Sequence, residues 1–449
     1  MFGQDWLLLQ EKPIFRKSIM DKIFNEVLAN EGEDPLKITN AFLPLKDFDS
    51  TELISLVWNA ATGMTQPYAL SGNIPMTTIP GYFYKEYGIG YFREMIHWGE
   101  KELQLLKKPD KPNELAGTSL MVKSMDTLNK RMNNLIEFMG AQTIISGGYD
   151  VAGNGVNYRY LTGIPTNPFM LKLGATAHSS TVGVVFVDAP WIATPNDNLL
   201  WSDTTNSNPI NDIIGICQLA NESGFVITEM WLTPSVSALI SKNANVIAWI
   251  QKSPILVGQY LTAPDILLTI PSLKGIKVVV DERRYQDERF LTADLGATGV
   301  TAYVNNGLNF CVFGQTLTFI SPDGKTYAKA KVVASGTAPT ATTITLATGG
   351  VGTAMVKGSR IVLSKPWLAN MYGQERYVMF RTQRAEELGN WASTPSIVGG
   401  SIDNPRPGKF TWKDFSQEKG RPWIAVGAGI EGGPVVWHHG GYFVVQVKL

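Results

Sequence analysis

Cysteine is nearly absent: the 449 residues contain two, Cys217 and Cys311, with no pairing motif around either. A disulfide framework is therefore not expected, and a reducing compartment fits. Charge is also sparse, at 17%, and neither sign is in excess, with 39 basic against 39 acidic residues. No basic surplus points to nucleic-acid binding, and no acidic tail is visible. A nucleic acid could lie beside such a protein, but bulk charge would not grip it. No apolar run approaches the length that spans a membrane. The opening MFGQDWLLLQEKPIF has neither a basic n-region nor a long apolar stretch, so a secretory signal is not expected.

The residues of catalysis are just as thinly spread. Histidine occurs four times. His438 and His439 are adjacent, and on a strand neighbours point to opposite faces, so the two could not chelate one ion. His97 sits among aromatics and His178 in a polar stretch, neither near a cysteine or a second histidine. No metal site is expected. Gly349-Gly350-Val351-Gly352 is glycine-rich but lacks the Lys-Ser/Thr of a phosphate loop and the strand–helix setting of a dinucleotide fingerprint, so it reads as a β-turn. There is no Gly-x-Ser-x-Gly elbow. Neither a catalytic site nor a cofactor is expected.

What is plentiful is glycine, at 43, proline, at 25, and tryptophan, at 12. Such a composition suits turns, extended arms and large contact surfaces. The length predicts two or three domains. In IMDKIFNEVLANEG, Ile19, Ile23, Val27 and Leu28 fall at helical spacing, with Gly32 to end the helix. Residues 51–105 hold three prolines and a crowd of aromatics from Tyr68 to Trp98, with no helical period until near the end. Tyr82 and Tyr84, then Ile89 and Tyr91, suggest two extended arms around a turn. So much aromatic surface in a loop would be a liability on a monomer and makes sense against a neighbouring subunit.

One long helix follows. Met121, Met125, Leu128, Met132, Leu135 and Met139 are spaced four, three, four, three and four apart, one continuous apolar stripe. Asn113 and Glu114 can start the helix and Gly147-Gly148 can end it. Lys123, Asp126, Lys130, Arg131 and Asn134 fall on the other face. A methionine stripe could be a partner groove, but at this spacing it reads as core.

Beyond residue 150 the chain alternates. TVGVVFVDAP reads as a strand. NPINDIIGICQLANESG reads as a helix capped by Asn208 or Ser207, with Pro209 in its first turn and Gly224 past its end. FVITEMWLT is a strand, PSVSALISKNANVIAWI a helix and GIKVVVDERRY a strand, which together make an α/β unit. From about 300 to 365, TLTFISPDGKTYAKAKVVA and TTITLATGGVGTAMVKGSRIVLS alternate around Pro-Asp-Gly and Gly-Gly turns, a small β insertion. The C-terminal run is strongly β. Asp281-Glu282-Arg283-Arg284 with Asp287-Glu288-Arg289 is a dense mixed-charge patch. Its arginines favour ionised, paired carboxylates over an acid/base pair. It reads equally as a solvated strand end or as an intersubunit salt-bridge cluster.

The order of these elements resembles the major capsid proteins of tailed bacteriophages, with the Hong Kong 97 fold, and within them the family of the phage lambda capsid protein E. MTTIPGYFYKEYGIGYF is similar to the family's extended loop, and LNKRMNNLIEFMGAQTIISGGYDV to its spine helix. GFVITEMWLTPSVSALISKNANVIAWI resembles its strand–helix step, and the C-terminal run its closing β segment. Residues 300–365 have no counterpart in it.

The resemblance implies an α+β chain with an N-terminal arm (1–50), an extended β-hairpin loop (51–105) and a peripheral domain (106–205) with a spine helix at about 113–146. It further implies an axial α/β domain (206–298 and 366–390) carrying the β insertion (299–365), and a C-terminal segment (391–449) returning to the peripheral domain. Subunits would form pentamers and hexamers and then an icosahedral shell in the virion, assembled in the host cytoplasm. The loop from about Ala60 to Glu94 would lie across one neighbour and the arm from Met1 to Phe48 would reach another. Candidate interface residues are Tyr68, Ile74, Ile79, Tyr82, Tyr84, Tyr87 and Tyr91, with Asp281, Glu282, Arg283, Arg284 and Arg289. Expected partners are further copies of the chain, a separate scaffolding protein, a portal, a decoration protein on the insertion, and packaged DNA held without sequence specificity. No membrane partner is expected. The rival readings are another self-assembling structural protein, such as an encapsulin-like compartment shell or a tail tube, and a secreted carbohydrate-binding or hydrolytic enzyme.

Overall fold

The computed structural model describes residues 35–47, 52–58, 82–88, 90–98, 111–153, 156–161, 166–174, 185–192, 199–252, 273, 275–307, 309–333, 339–393, 399–401, 404–406, 410–415 and 423–448. The helix expected at 19–32 lies outside them. The chain is α+β. Among the described residues it starts with α1 (Lys37–Phe42), β1 (Leu45–Asp47), β2 (Glu52–Trp58), β3 (Tyr82–Gly88), β4 (Gly90–Trp98) and α2 (Lys111–Ser146). Then come β5 (Gly148–Gly153), β6 (Val156–Leu161), β7 (Thr166–Lys172), β8 (Val185–Asp188), α3 (Pro209–Glu222), β9 (Ile227–Leu232), α4 (Pro234–Lys242), α5 (Ala244–Gln251) and β10 (Lys277–Val280). A run of strands follows: β11 (Arg284–Phe290), β12 (Thr301–Tyr303), β13 (Thr316–Ile320), β14 (Tyr327–Lys331), β15 (Thr343–Thr345) and β16 (Arg360–Pro366). The chain closes with β17 (Tyr377–Thr382), α6 (Ala385–Leu388), β18 (Gly389–Ser393), β19 (Gly399–Ser401), β20 (Asn404–Arg406), β21 (Phe410–Phe415), β22 (Trp423–Val436) and β23 (Tyr442–Gln446).

Two compact units divide the chain. The first comprises Met1–Gly140, Ala152–Tyr158 and Arg384–Gly441. Its sheet runs β1-β18-β22-β21, and β4 lies against β22 from Gly90↔Gly432 to Trp98↔Ile424. The long β22 is its spine, antiparallel to β18, β21 and β4 alike. Trp391 of β18 is fully buried and Trp98 of β4 nearly so.

Most of α2 belongs to this unit. Its 36 residues extend about 54 Å at 1.5 Å per residue. Met125, Leu128, Met132 and Met139 are buried, as the stripe requires, while Lys123, Lys130, Arg131 and Asn134 are exposed. The stripe is corrected at one place: Leu135 is only half-buried and Ile136 is fully buried. A strict seven-residue repeat drifts by about 20° per heptad on a straight helix, which carries position 135 off the seam and 136 onto it. The helix stops at Gly147, whose φ of 70° closes a left-handed end.

The second unit comprises Ala141–Val151, Arg159–Gln383 and Tyr442–Leu449. Its main sheet has six strands in the order β10-β9-β17-β23-β7-β8. β9–β17 and β17–β23 are antiparallel, and β10–β9, β23–β7 and β7–β8 parallel. Every residue of β23 is buried, so helices and loops must cover both of its faces. Phe169 meets Phe443 and Phe225 edge-on, and Phe186 stacks on Tyr377. Helix α3 begins as its sequence predicts, with Asn208 accepting from the Asn211 amide and Pro209 at its start, and Gly224 follows its end at φ 81°.

Two sequence expectations are corrected in this unit. The helix expected across 234–250 is two helices. Asn243 is extended, its side chain accepts from the amides of Asn245 and Val246, and so it ends α4 and caps α5. The strand expected across 275–285 is also two. β10 joins the six-stranded sheet, whereas β11 pairs along its whole length with β16.

That pairing starts a β module, with a four-stranded sheet β11-β16-β13-β14 and a small ladder β12–β15. It has its own core, which includes Leu291, Phe310, Leu317, Phe319, Ile344 and Ile361. Its turns are those the sequence announces. Gly324, at φ 71°, closes the Pro-Asp-Gly turn, with its amide bonded to the Ser321 carbonyl. Gly349, Gly350 and Gly352 all have positive φ, and a Cβ on Gly350 would sit 2.6 Å from the Gly299 carbonyl oxygen.

Candidate functional site

Two stretches carry the expected interface residues. The first is the ribbon of β2 and β3, antiparallel over seven pairs from Glu52↔Gly88 to Trp58↔Tyr82. This corrects the expected hairpin. Tyr82 and Tyr84 pair with Trp58 and Leu56, not with the Ile89–Tyr91 stretch, because β3 runs on into β4 and Tyr91 lies opposite Glu431 of β22. Tyr87 lies opposite Leu53. Tyr68, Ile74 and Ile79 fall in the connection between β2 and β3, outside the described residues. Among the described residues, no strand of another sheet pairs with the ribbon.

The second stretch is the charge patch, and its ions are tied within the chain. Asp281 is 2% exposed and receives the Arg283 amide, Nε and Nη2 at 3.1, 2.9 and 3.0 Å. Arg284 donates to the Ser364 hydroxyl and carbonyl, and lies 3.4 Å from Glu375. Glu282 is exposed. Arg289 pairs with Asp287 at 2.5 Å, its guanidinium 4.9 Å from the centre of the Phe310 ring.

The sequence reading missed the second cation on Asp287, Lys365. Its side chain is 1% exposed, and its Nζ donates to Asp287 Oδ2 at 2.7 Å, the Met371 carbonyl at 2.5 Å and the Asn309 carbonyl at 3.3 Å. All three ammonium protons are used. Burial pushes the lysine pKa down and Asp287 pulls it back up. Such a charge is costly to strand and is held here as an internal bolt. Tyr285 stacks on Trp367 at 4.3 Å nearby, and burial pushes its phenol far upward. The only signal in the sequence was a lysine between a serine and a proline, just after the apolar run Ile361-Val362-Leu363.

Two further buried carboxylates went unnoticed. Glu137, on α2, is fully buried and caps α1 from a distance in sequence. Its oxygens accept from the amides of Ile38 and Thr39 at 2.9 and 3.0 Å and from the Thr39 hydroxyl at 2.8 Å. A Cβ on Gly140 would lie 2.6 Å from that hydroxyl, so the close approach depends on the glycine. A lone acid on the buried side of α2 was the available hint. Asp212, in the first turn of α3, accepts the indole N–H of Trp201 at 2.9 Å and of Trp191 at 3.2 Å. Burial pushes its carboxyl up to about 6, although both indoles pull it down.

The histidine pair is corrected in its setting. His438 and His439 lie in the turn between β22 and β23, not on a strand, and the His438 Nδ1 accepts from the Gly440 amide at 2.9 Å. Burial, then Arg384, pushes the His438 imidazole down. Burial raises the thiols of Cys217 and Cys311 to about 11 and about 12. Among the described residues, no three His, Cys, Asp or Glu side chains gather as a metal site. No helix among them is long and apolar enough to cross a membrane.

No protein-family description matches the chain, and no curated protein does. Solved structures do. One is a protein described as a candidate capsid protein of a prophage of E. coli CFT073, 11% identical, with 96% of this chain and 99% of that one covered, at a TM-score of 0.47. Another is a phage-related protein from Bordetella bronchiseptica RB50, 9% identical, with 95% and 96% covered, at 0.42. A third is the capsid of Myoviridae phage XM1, 10% identical, with 92% of both chains covered, at 0.40.

Proposed function

We propose that this chain is a shell-forming subunit of the Hong Kong 97 type, the major capsid protein of a tailed double-stranded DNA bacteriophage. The observation that carries the reading is the β2–β3 ribbon. A two-stranded ribbon is marginal in water on its own. Here it extends from the first unit's sheet, is bridged by 23 residues bearing three prolines, and has no further strand beside it among the described residues. A neighbouring copy supplies the missing cover. The ribbon, the long α2 and the mixed six-stranded sheet then fall in the chain order expected of such a subunit, with the β module as an insertion.

In this reading the copies close into pentamers and hexamers, since a head-to-tail contact makes a ring when its rotation closes. The rings build an icosahedral shell, assembled in the host cytoplasm around a scaffolding protein, joined by a portal, and filled with DNA that no bulk charge grips. The chain has no catalytic role. The interface residues are the tyrosines of the ribbon and its tip, with the domain limits expected above. Negative-stain electron microscopy of the purified protein, with and without a co-expressed scaffolding protein and backed by sedimentation, tests it. Closed shells, five- or six-membered rings or curved sheets are expected. A dispersed monomer under every condition would overturn the reading.

A further inference from the structure

The four-stranded sheet of the β module has two faces of opposite character. One buries Leu317, Phe319, Ala328, Ala330, Ile361 and Leu363. The register lines the other face up in rows across all four strands. Phe290 lies opposite Arg360, Arg360 opposite Ile320, and Ile320 opposite Tyr327. Tyr327 is 65% exposed and Phe290 43%. Beside this row, Lys329 and Lys331 stand exposed on the edge strand β14, and Lys325 on the turn before it. Arg360 is answered by Glu288 at 3.3 Å. The three lysines have no carboxylate within ion-pair distance among the described residues.

The charge balance of the sequence indicates what answers them. Residues 284–366 hold eight basic and four acidic residues, a surplus of four positive charges. The whole chain has 39 of each, so the rest of it holds 31 basic and 35 acidic residues, a deficit of the same size. Every copy therefore carries both a positive module and a negative remainder. That arrangement favours a head-to-tail contact over module against module, where like charges would meet.

We propose that the outer face of this sheet docks a second copy of the chain, which lays an acidic segment from outside residues 284–366 across Lys325, Lys329 and Lys331. The exposed rings of Phe290 and Tyr327, at the two ends of the row, supply apolar surface beside it. This rests on the shell reading only in that copies must meet. The lysines contribute orientation and association rate, so assembly weakens as salt rises.

The test uses the full chain, half of it labelled with 15N, mixed, assembled and coupled with a zero-length carbodiimide. Mass spectrometry should find Lys325, Lys329 or Lys331 joined to acidic residues outside 284–366 in pairs of mixed isotope. The double variant Lys329→Glu/Lys331→Glu should keep its thermal midpoint, because both side chains are exposed, and should need at least about tenfold more protein to assemble, the equivalent of about 1.4 kcal/mol. Particles that form without mixed-isotope pairs at these lysines would overturn the docking face and leave the shell reading intact. Coupling of the lysines only to a different, co-purifying protein would overturn the second copy as occupant. If the wild-type chain gives neither particles nor mixed pairs, both readings fall.

Discussion

The β2–β3 ribbon and the β module both depart from the main sheets, and they solve burial in opposite ways. The module closes on itself. Its strands face a core with Phe310, Leu317, Phe319 and Ile361 at its centre, and Lys365 bolts it to the segment that returns to β17. The ribbon has its own ladder and, among the described residues, no further strand beside it. A segment that brings its own core can vary without disturbing the fold. A ribbon without one depends on what it meets. The difference separates a part of this chain with a core of its own from a part that, in the proposed reading, is completed by another copy.

The largest effect should come from the ribbon. Deleting Ser71–Gly81 should abolish shells and rings and leave a folded subunit, as sedimentation and circular dichroism would report. Normal particles from that deletion would break the comparison at once. The next effect belongs to the module. Lys365→Ala opens a buried cavity, leaves Asp287 with Arg289 as its one cation among the described residues and removes the donor to the Met371 and Asn309 carbonyls, and should cost about 2–4 kcal/mol in a denaturant titration, whereas Lys365→Met, which keeps the volume, should cost less. A loss under about 1 kcal/mol for the alanine variant would show that the bolt is not structural.

A smaller effect is expected at Glu137. Replacing it with alanine leaves the Ile38 and Thr39 amides without their acceptor and should cost about 2–3 kcal/mol, with Glu137→Gln costing less because one oxygen remains. Equal losses for the two would mean that space, not the carboxylate, matters there. The last effect, of similar size, is a pH dependence at Asp212. Its folded value of about 6 lies above the ordinary 3.8, so the folded state holds the proton more tightly. Its contribution is therefore fully present below about pH 4 and is lost as pH rises through 6, on the order of 2–3 kcal/mol in all. Asp212→Asn should flatten the stability profile between pH 4 and 6, and an unchanged profile would refute the assignment.

Local chemistry was the legible part of the sequence. The cap at Asn208, the proline after it, the Pro-Asp-Gly turn and the methionine stripe of α2 each rest on neighbours within one or two turns of chain. What the sequence hid was long-range. Asn243 reads as one more helix residue until its side chain is seen capping α5. β10 and β11 read as one strand because the residues between them are polar either way, and only the pairing of β11 with β16 parts them. Glu137, on the buried side of α2, and Asp212 give no sign of their partners until α1 and two indoles arrive from elsewhere. The charges at 281–289 were visible as a patch, but Lys365, which pairs with Asp287, lies far along the chain.

The central claim is that the ribbon is completed by another copy, and amide hydrogen exchange measures this most directly. It should be recorded on the dispersed subunit and on the assembled particle. The account predicts that amides of Glu52–Trp58 and Tyr82–Gly88 exchange rapidly in the subunit and gain at least about a hundredfold protection on assembly, as expected when local opening is suppressed. Amides of the module strands Thr316–Ile320 and Arg360–Pro366 should be protected alike in both. Equal protection of the ribbon in subunit and particle would contradict the account.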